Sequence, residues 1–332
     1  MFARRCEQIS LILDGLNSRL ILIREMIFRP WVLLAVSAAL FSVTSEAPAE
    51  GEQKPAVELQ GGQKSAVSWE VDSDVSGVTK SRFQGVSRDS DVGVLDTSFN
   101  AVASLEGKGG ILYRFGIDYQ RHDFVGVQSQ PIPTTLQSYG LTVGADFQLG
   151  DAWLARVDFQ PGFYGSGSVF RFGDFNVPIV MGASYFVNSD LQLVVGLSLN
   201  FERKYPVLGG IGLHWRMGHD WVLNGILPTP RIEYSLSQCL TLYAGADFRG
   251  DTYRVNRDFG RTHGTQGLDD AVADYSQIRV GTGISWAINP HATFQMEAGF
   301  VPVDDLDFHR ADTRVRSTEA PPYIDLSLKA RF

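Results

Sequence analysis

The chain has 332 residues, a formal charge of −8 and 34 glycines, which suits two soluble domains or one large sheet protein with an export segment. Its basic residues are scattered among acidic ones, which excludes a general nucleic-acid binder, since that needs Lys and Arg clustered against phosphate. The cysteines are Cys6 and Cys239; the first lies upstream of the expected cleavage point, so the mature chain holds no internal disulfide and no cysteine metal centre.

From Met26 the chain reads as a secretion signal. Arg29 supplies the basic start, 31–43 the apolar run, and Ala47-Pro48-Ala49 the small side chains two apart that a signal peptidase accepts. The run is shorter than the roughly 20 residues that a membrane-crossing helix needs, and cleavage is expected after Ala49. Residues 1–25 carry Arg4, Arg5, Arg19 and Arg24 around short apolar stretches. They read as an extended basic start or an early start codon, with an amphipathic surface helix as the alternative. Cys6 lacks the small-residue pattern that precedes a lipid anchor. Residues 50–66, rich in Glu, Gln, Gly and Lys, read as a solvated linker before a fold over 67–332.

After a weaker strand near 67–80, the chain alternates apolar and polar side chains from about residue 90 onward, with no long helical period. Ile111, Tyr113, Phe115, Ile117 and Tyr119 share one face, and Arg114, Gly116, Asp118 and Gln120 the other. The pattern recurs over 139–148, 191–201, 240–249, 277–286 and 292–300. Soluble strands commonly run about five or six residues, whereas a tilted membrane-crossing strand needs about 9 to 11. These segments have the longer measure. A sheet in lipid can leave no edge open, so the expected fold is all-β: an antiparallel transmembrane β-barrel of about 12 to 14 strands, apolar outside and polar within.

The connections alternate as such a barrel requires. Short turns are expected at 107–109, 150–151, 188–190, 218–220, 237–238 and 289–290, and longer loops around 125–136, 165–173, 203–208, 251–273 and 304–322. Parity requires a further hairpin tip within 221–236, and Pro228 and Pro230 supply it, because proline cannot donate to a ladder. Trp153, Trp215, Trp221 and Trp286 all fall beside short turns, where a membrane interface favours amphipathic rings. In the last strand Ile324, Leu326, Leu328, Ala330 and Phe332 share a face. An aromatic terminus after such alternation resembles the assembly signal read by the bacterial barrel-assembly machinery, so Phe332 is the candidate assembly residue. Outer-membrane lipid and that machinery are the expected partners, and the bacterial outer membrane the expected location.

Trp221-Val222-Leu223, then 230–234, then 240–246, and Ala320-Pro321-Pro322-Tyr323 leading to Phe332, resemble a bacterial family of uncharacterised outer-membrane barrels known as a domain of unknown function. The resemblance spans roughly 90–332 and brings no catalytic or ligand residues.

The candidate lumen-lining residues are Arg114, Asp118, Asp146, Arg156, Asp158, Arg231, Glu233, Asp247, Arg249, Arg279, Glu297, Lys329 and Arg331. They either line an open polar channel or pair across the lumen and fill it. Their mixed signs imply no strong ion selectivity. The leading expectation is a passive pore or small-solute transporter, then a structural barrel. An outer-membrane lipid-modifying enzyme is one rival, with His214 and Ser235 as the first residues to inspect. A soluble periplasmic β-barrel that binds a ligand is the other.

His122, His219, His263, His291 and His309 read as solvated loop or strand-end residues. Asp269, Asp270, Asp304, Asp305 and Asp307 are placed in outer loops without a calcium-loop spacing. Gly281-Thr282-Gly283 lacks the helix of a nucleotide loop. No cofactor, catalytic residue or metal is assigned.

Overall fold

The structure, a computed structural model, describes residues 67–332 apart from 86–89, 128–130 and 168. The export segment with its expected cleavage after Ala49, Cys6 and the linker 50–66 lie outside the described residues. Alternating β-branched, aromatic and polar residues make strands of nearly the whole chain. In order these are β1 (Val67–Gln84), β2 (Ser90–Glu106), β3 (Ile111–Val125), β4 (Thr135–Gln148), β5 (Trp153–Phe159), β6 (Gly162–Ser166), β7 (Phe175–Asn176), β8 (Ile179–Phe186), β9 (Leu191–Leu199) and β10 (Val207–Met217). They continue as β11 (Trp221–Asn224), β12 (Arg231–Ser237), β13 (Leu240–Arg254), β14 (Val272–Asn289), β15 (Ala292–Phe308), β16 (Thr313–Ser317) and β17 (Pro322–Arg331).

The segments build a closed antiparallel barrel of 14 strands, the upper figure of the expected range. Three of these strands are each made of two segments: β5 with β6, β7 with β8, and β16 with β17. Every break carries a proline: Pro161, Pro178 and Pro321. Proline lacks the ladder donor but keeps its carbonyl. Accordingly the amides of Leu141, Gln160 and Val301 donate to the carbonyls of Pro161, Pro178 and Pro321 at 2.9, 2.8 and 2.9 Å. Closure joins β1 to β17, with Asp72 opposite Lys329 and Glu70 opposite Arg331. Trp69 and Phe332 exchange both backbone hydrogen bonds at 2.9 Å, which fixes the C-terminal residue to the first strand.

All the short turns gather at one end, where the strand termini Val67 and Arg331 also lie, and the longer connections at the other, as the alternation required. Turn chemistry is local. The Asn188 side chain accepts from the amides of Asp190 and Leu191, both at 2.9 Å, and Gly218 takes φ 82° between β10 and β11. Pro228 and Pro230 do form the tip between β11 and β12.

The apolar face of each strand points outward and is exposed, with Ile117, Leu141, Leu197, Ile211 and Ile324 prominent. Trp69, Trp153, Trp215 and Trp221 are exposed near the turn end, and Trp286 is half-buried there. Trp153 packs on Tyr185, and Trp221 on Tyr234, with ring centroids 4.8 Å apart.

The wall is uneven. β1, β14 and β15 run 18, 18 and 17 residues, whereas β8, β9, β11 and β12 run 8, 9, 4 and 7. Above the low wall the tall strands meet each other. A single parallel rung sets Arg254 of β13 opposite Gly165 of β6, the Asn256 amide donates to Ser166 Oγ at 3.1 Å, and Arg171 donates to the Val255 carbonyl at 2.9 Å. Opposite walls therefore touch at the loop end.

The space enclosed there is packed with Phe83, Phe124, Leu136, Tyr253, Tyr275 and Phe308 from the strands, and with Val255, Phe259 and Leu268 from the 255–271 connection. That connection, expected only as a long loop, contributes a one-turn helix, Phe259–Thr262, to the core.

The outer loop expected over 304–322 also differs. β15 runs on to Phe308 because two residues, Val301 and Pro302, oppose one at Arg279, and the bulge resets the alternation.

Candidate functional site

The functional candidate is the lumen itself, whose polar residues arrive from the inward register of the tall strands. Arg279 of β14 is almost fully buried. Its guanidinium pairs with Asp96 of β2, lies 3.3 Å from Asp325 of β17, and donates to Ser76 Oγ at 2.7 Å and to Gln277 Oε1 at 2.7 Å. Arg249 of β13 binds Asp74 at 2.9 Å and Asp325 at 2.8 Å, and also holds Asp247 beside it. Asp96 continues the chain of contacts to His122 Nδ1 at 2.6 Å, and His122 Nε2 meets the Tyr253 hydroxyl at 3.1 Å. The network therefore ties β1, β2, β3, β13, β14 and β17 across the interior.

A second cluster lies on β3, β4 and β5. Arg156 binds Asp146 at 2.6 Å, while Arg114 approaches Asp146 at 3.9 Å and Asp158 at 3.8 Å without hydrogen-bond geometry at Nε or Nη1. Asp118 accepts from Asn100 at 3.5 Å. Arg231 lies 3.4 Å from Glu233 and over the Tyr243 ring at 5.1 Å. Glu297 accepts from the Tyr323 hydroxyl. Arg331 reaches Glu70 at 3.4 Å on the exposed rim. Lys329 faces a cavity of about 390 Å³. Of the two arrangements open to the sequence, charges that pair and fill the lumen describe the loop half, and the cavity lies beneath it.

That cavity is bounded by Asp72 and Lys329 of the closing pair, Arg231 and Tyr243 of the neighbouring hairpin, and the Arg249 cluster. Thr229 and Pro228, from the tip between β11 and β12, also reach it.

Several expectations need correction. His122 is not a solvated strand-end residue: β3 extends to Val125, and the inward register carries His122 into the core. His309 stands 3.4 Å from Asp274 with most of its side chain covered, whereas His219, His263 and His291 are exposed.

Asp304, Asp305 and Asp307 are strand residues of β15. Asp304 is buried and accepts from Gln277 at 3.1 Å, Asp305 pairs with Arg314, and Asp307 takes Lys204 at 2.7 Å. Asp269 and Asp270 pair with Arg261 and Arg171 at 3.2 and 2.9 Å. Among the described residues no group of three or more His, Cys, Asp or Glu is placed to hold a metal.

His214 and Ser235 do not form a catalytic pair. His214 stands opposite Asn224, and Asn224 opposite Arg231; Ser235 lies four residues further along β12, on the order of 13 Å at the strand rise. Gly281-Thr282-Gly283 sits inside β14. Cys239 is buried and free.

The residues that sequence reasoning missed are Asp96, Asp74, Asp325, His122 and Tyr253. Asp325 stood on the polar face of the last strand, which was the available signal. Asp74 and Asp96 lie within stretches already expected as strand but were not singled out, whereas His122 and Tyr253 lie on the inward register of strands whose ends were placed too short.

No family model matches the chain, and the resemblance to uncharacterised barrels acquires no matching model. No curated protein matches it. Among solved structures the chain is similar to an outer membrane channel from Pseudomonas putida F1, at 11% identity over 83% of this chain and 100% of that one, with a TM-score of 0.43. It is similar to the Pseudomonas putida toluene transporter TodX at 10% identity, over 81% of this chain and 89% of that one, TM-score 0.38. It is also similar to the KdgM porin at 9% identity, over 79% and 99%, TM-score 0.33.

Proposed function

We propose that this chain is an integral barrel of the bacterial outer membrane that passes small polar solutes and is held shut at its loop end by the 255–271 segment. One observation carries the reading: an apolar-sheathed closed barrel contains a polar cavity of about 390 Å³ whose loop-side cover is built partly from a connection rather than from wall. Exposed apolar strands need a solvent as apolar as themselves, and a closed sheet is the strand architecture that lipid tolerates. The seal of Phe259 and Leu268 is a local element, and such elements open at lower free energy than the sheet that frames them.

Export through the 26–49 segment and insertion guided by the last strand, ending at Phe332, belong to the same reading. Outer-membrane lipid and the assembly machinery are then the partners. The alternative of a soluble periplasmic barrel leaves the exposed apolar belt without a covering.

Planar-bilayer recording of the refolded chain tests the proposal. The wild type is expected to give rare, small conductance steps, and a variant with 257–270 replaced by a short Gly-Ser bridge is expected to give frequent, larger ones. A bridged variant that migrates as a folded, heat-modifiable barrel yet conducts nothing would overturn the channel reading.

A further inference from the structure

The cavity has two unlike ends. Toward the turn end, Arg231 and Lys329 come from separate strands, β12 and β17, within electrostatic range of each other. The Arg231 Nε is buried and lies 3.4 Å from Glu233 without hydrogen-bond geometry, and the guanidinium carbon stands 5.1 Å from the centre of the Tyr243 ring. Lys329 has Asp72 opposite in the register, but its ammonium makes no hydrogen bond or close ion pair among the described residues.

Toward the loop end, Asp74, Asp96, Asp247 and Asp325 pair with Arg249 and Arg279, His122 pairs with Asp96, and Lys329 lies within electrostatic range of Asp74. A buried group of carboxylates that outnumbers its guanidiniums is costly until a proton or a further positive charge joins it. Asp325 and Lys329 stand on one strand four residues apart, on the order of 13 Å.

The geometry points to a binding site for a small zwitterion of the length of a di- or tripeptide, its carboxylate held by Arg231 and Lys329 and its ammonium by the carboxylates around Arg249. This rests on the channel reading only for its purpose, since binding itself requires no conduction. An extended tripeptide spans roughly 10 Å, of the order of the spacing between Asp325 and Lys329 along β17. A cavity of about 390 Å³ lies in the usual range of small-molecule sites, about 300 to 1,000 Å³. An anion alone would meet the acidic end, and a cation alone would leave Arg231 and Lys329, which stand among Asp72 and Glu297, without a new partner. Only a molecule with both charges, suitably spaced, satisfies both.

The test is equilibrium dialysis of the full chain, refolded in detergent, against trialanine and three probes: N-acetyl-trialanine, trialanine amide and glucose. Saturable binding of trialanine is expected, weakened roughly tenfold or more by removing either charge, as the loss of a charge-assisted contact implies, with no saturable binding of glucose. R231Q and K329Q should each weaken trialanine but leave trialanine amide, which lacks the carboxylate, unchanged; R231K should restore part of the loss.

Equal binding of trialanine and its acetylated or amidated form, or no saturable binding of any, overturns the proposal. Both outcomes are read on the wild-type chain alone, so variants that fail to fold do not obscure them. Binding without bilayer conductance retains the site and removes the channel; conductance without binding does the reverse.

Discussion

His122 Nε2 lies 3.1 Å from the Tyr253 hydroxyl, although β14, β15, β17, β1 and β2 intervene between their strands. Such a chord exists only because the tall walls lean together above the low wall. Tyr253→Phe keeps the ring in the core and removes one hydrogen-bond partner from a buried imidazole. The expected cost is about 1 to 3 kcal/mol, read as a lower urea midpoint in lipid vesicles. An unchanged midpoint would show that the chord does not hold the walls.

Arg279 bears more. It is the buried cation shared by Asp96 and Asp325, and removing it leaves Asp96 with His122 alone for an ion pair, and Asp325 dependent on an Arg249 already shared with two other carboxylates. Arg279→Met should cost about 3 to 5 kcal/mol, the penalty for stranding buried charge. The triple change with Asp96→Asn and Asp325→Asn should recover most of it, because the stranded charge is gone. A single variant as stable as the triple would contradict the network.

The plug makes a functional prediction. Leu268 is fully buried beside Phe259, and Leu268→Asp places a charge among apolar groups that cannot pair with it. The segment should leave the core while the barrel stays intact. Bilayer conductance should then rise toward that of the bridged variant, with unchanged heat-modifiable migration. Leu268→Met, similar in volume, should conduct as the wild type does.

In the loop between β9 and β10, Lys204 holds its ammonium 2.7 Å from Asp307 of β15, and that contact raises its pKa from the ordinary 10.5. A raised pKa means that any stabilisation is present at lower pH and fades as the pH climbs through the folded value, above 10.5. The lysine is at the surface, so screening keeps the contribution small. Lys204→Gln should match the wild type in urea titrations from pH 6 to 9. A clear loss there would mean that the contact contributes more than a screened surface pair does.

How much of this could be read from the sequence depends on range. The faces of β3, β4 and β13 followed from side-chain alternation, because a two-residue period is local and each strand reports it alone. The turns followed from Gly, Asn and Pro chemistry for the same reason. The pairing of Arg279 with Asp96 joins residues 183 apart and arises from barrel closure, which no window of sequence contains. Phe259 and Leu268 are sparse apolar residues in a polar stretch, so nothing local distinguishes an inward-folded loop from a solvated one. The acidic residues of β15 were placed in a loop because the bulge at Val301 reverses the alternation just before them.

The claim that lipid covers the outer wall has its own test at Leu141. It stands opposite Ile117 in the β3–β4 register, and both side chains are about half exposed on the outer face. Tyr113 lies four residues toward the turn end on β3, and the Arg121–Asp123 pair, at 2.7 Å, marks the polar edge on the other side. Leu141 therefore sits near the middle of the apolar band. Leu141→Arg should destabilise the barrel in lipid vesicles by about 2 to 4 kcal/mol, the depth-dependent cost of a cation on a lipid-facing wall. The same change at Thr135, beside Asp123 at 2.8 Å, should cost about 0 to 1 kcal/mol, since that level lies at the interface. Urea titration of both variants in vesicles measures the difference. Equal costs at the two depths would mean that the exposed apolar band does not face hydrocarbon, because only a membrane distinguishes these positions by height.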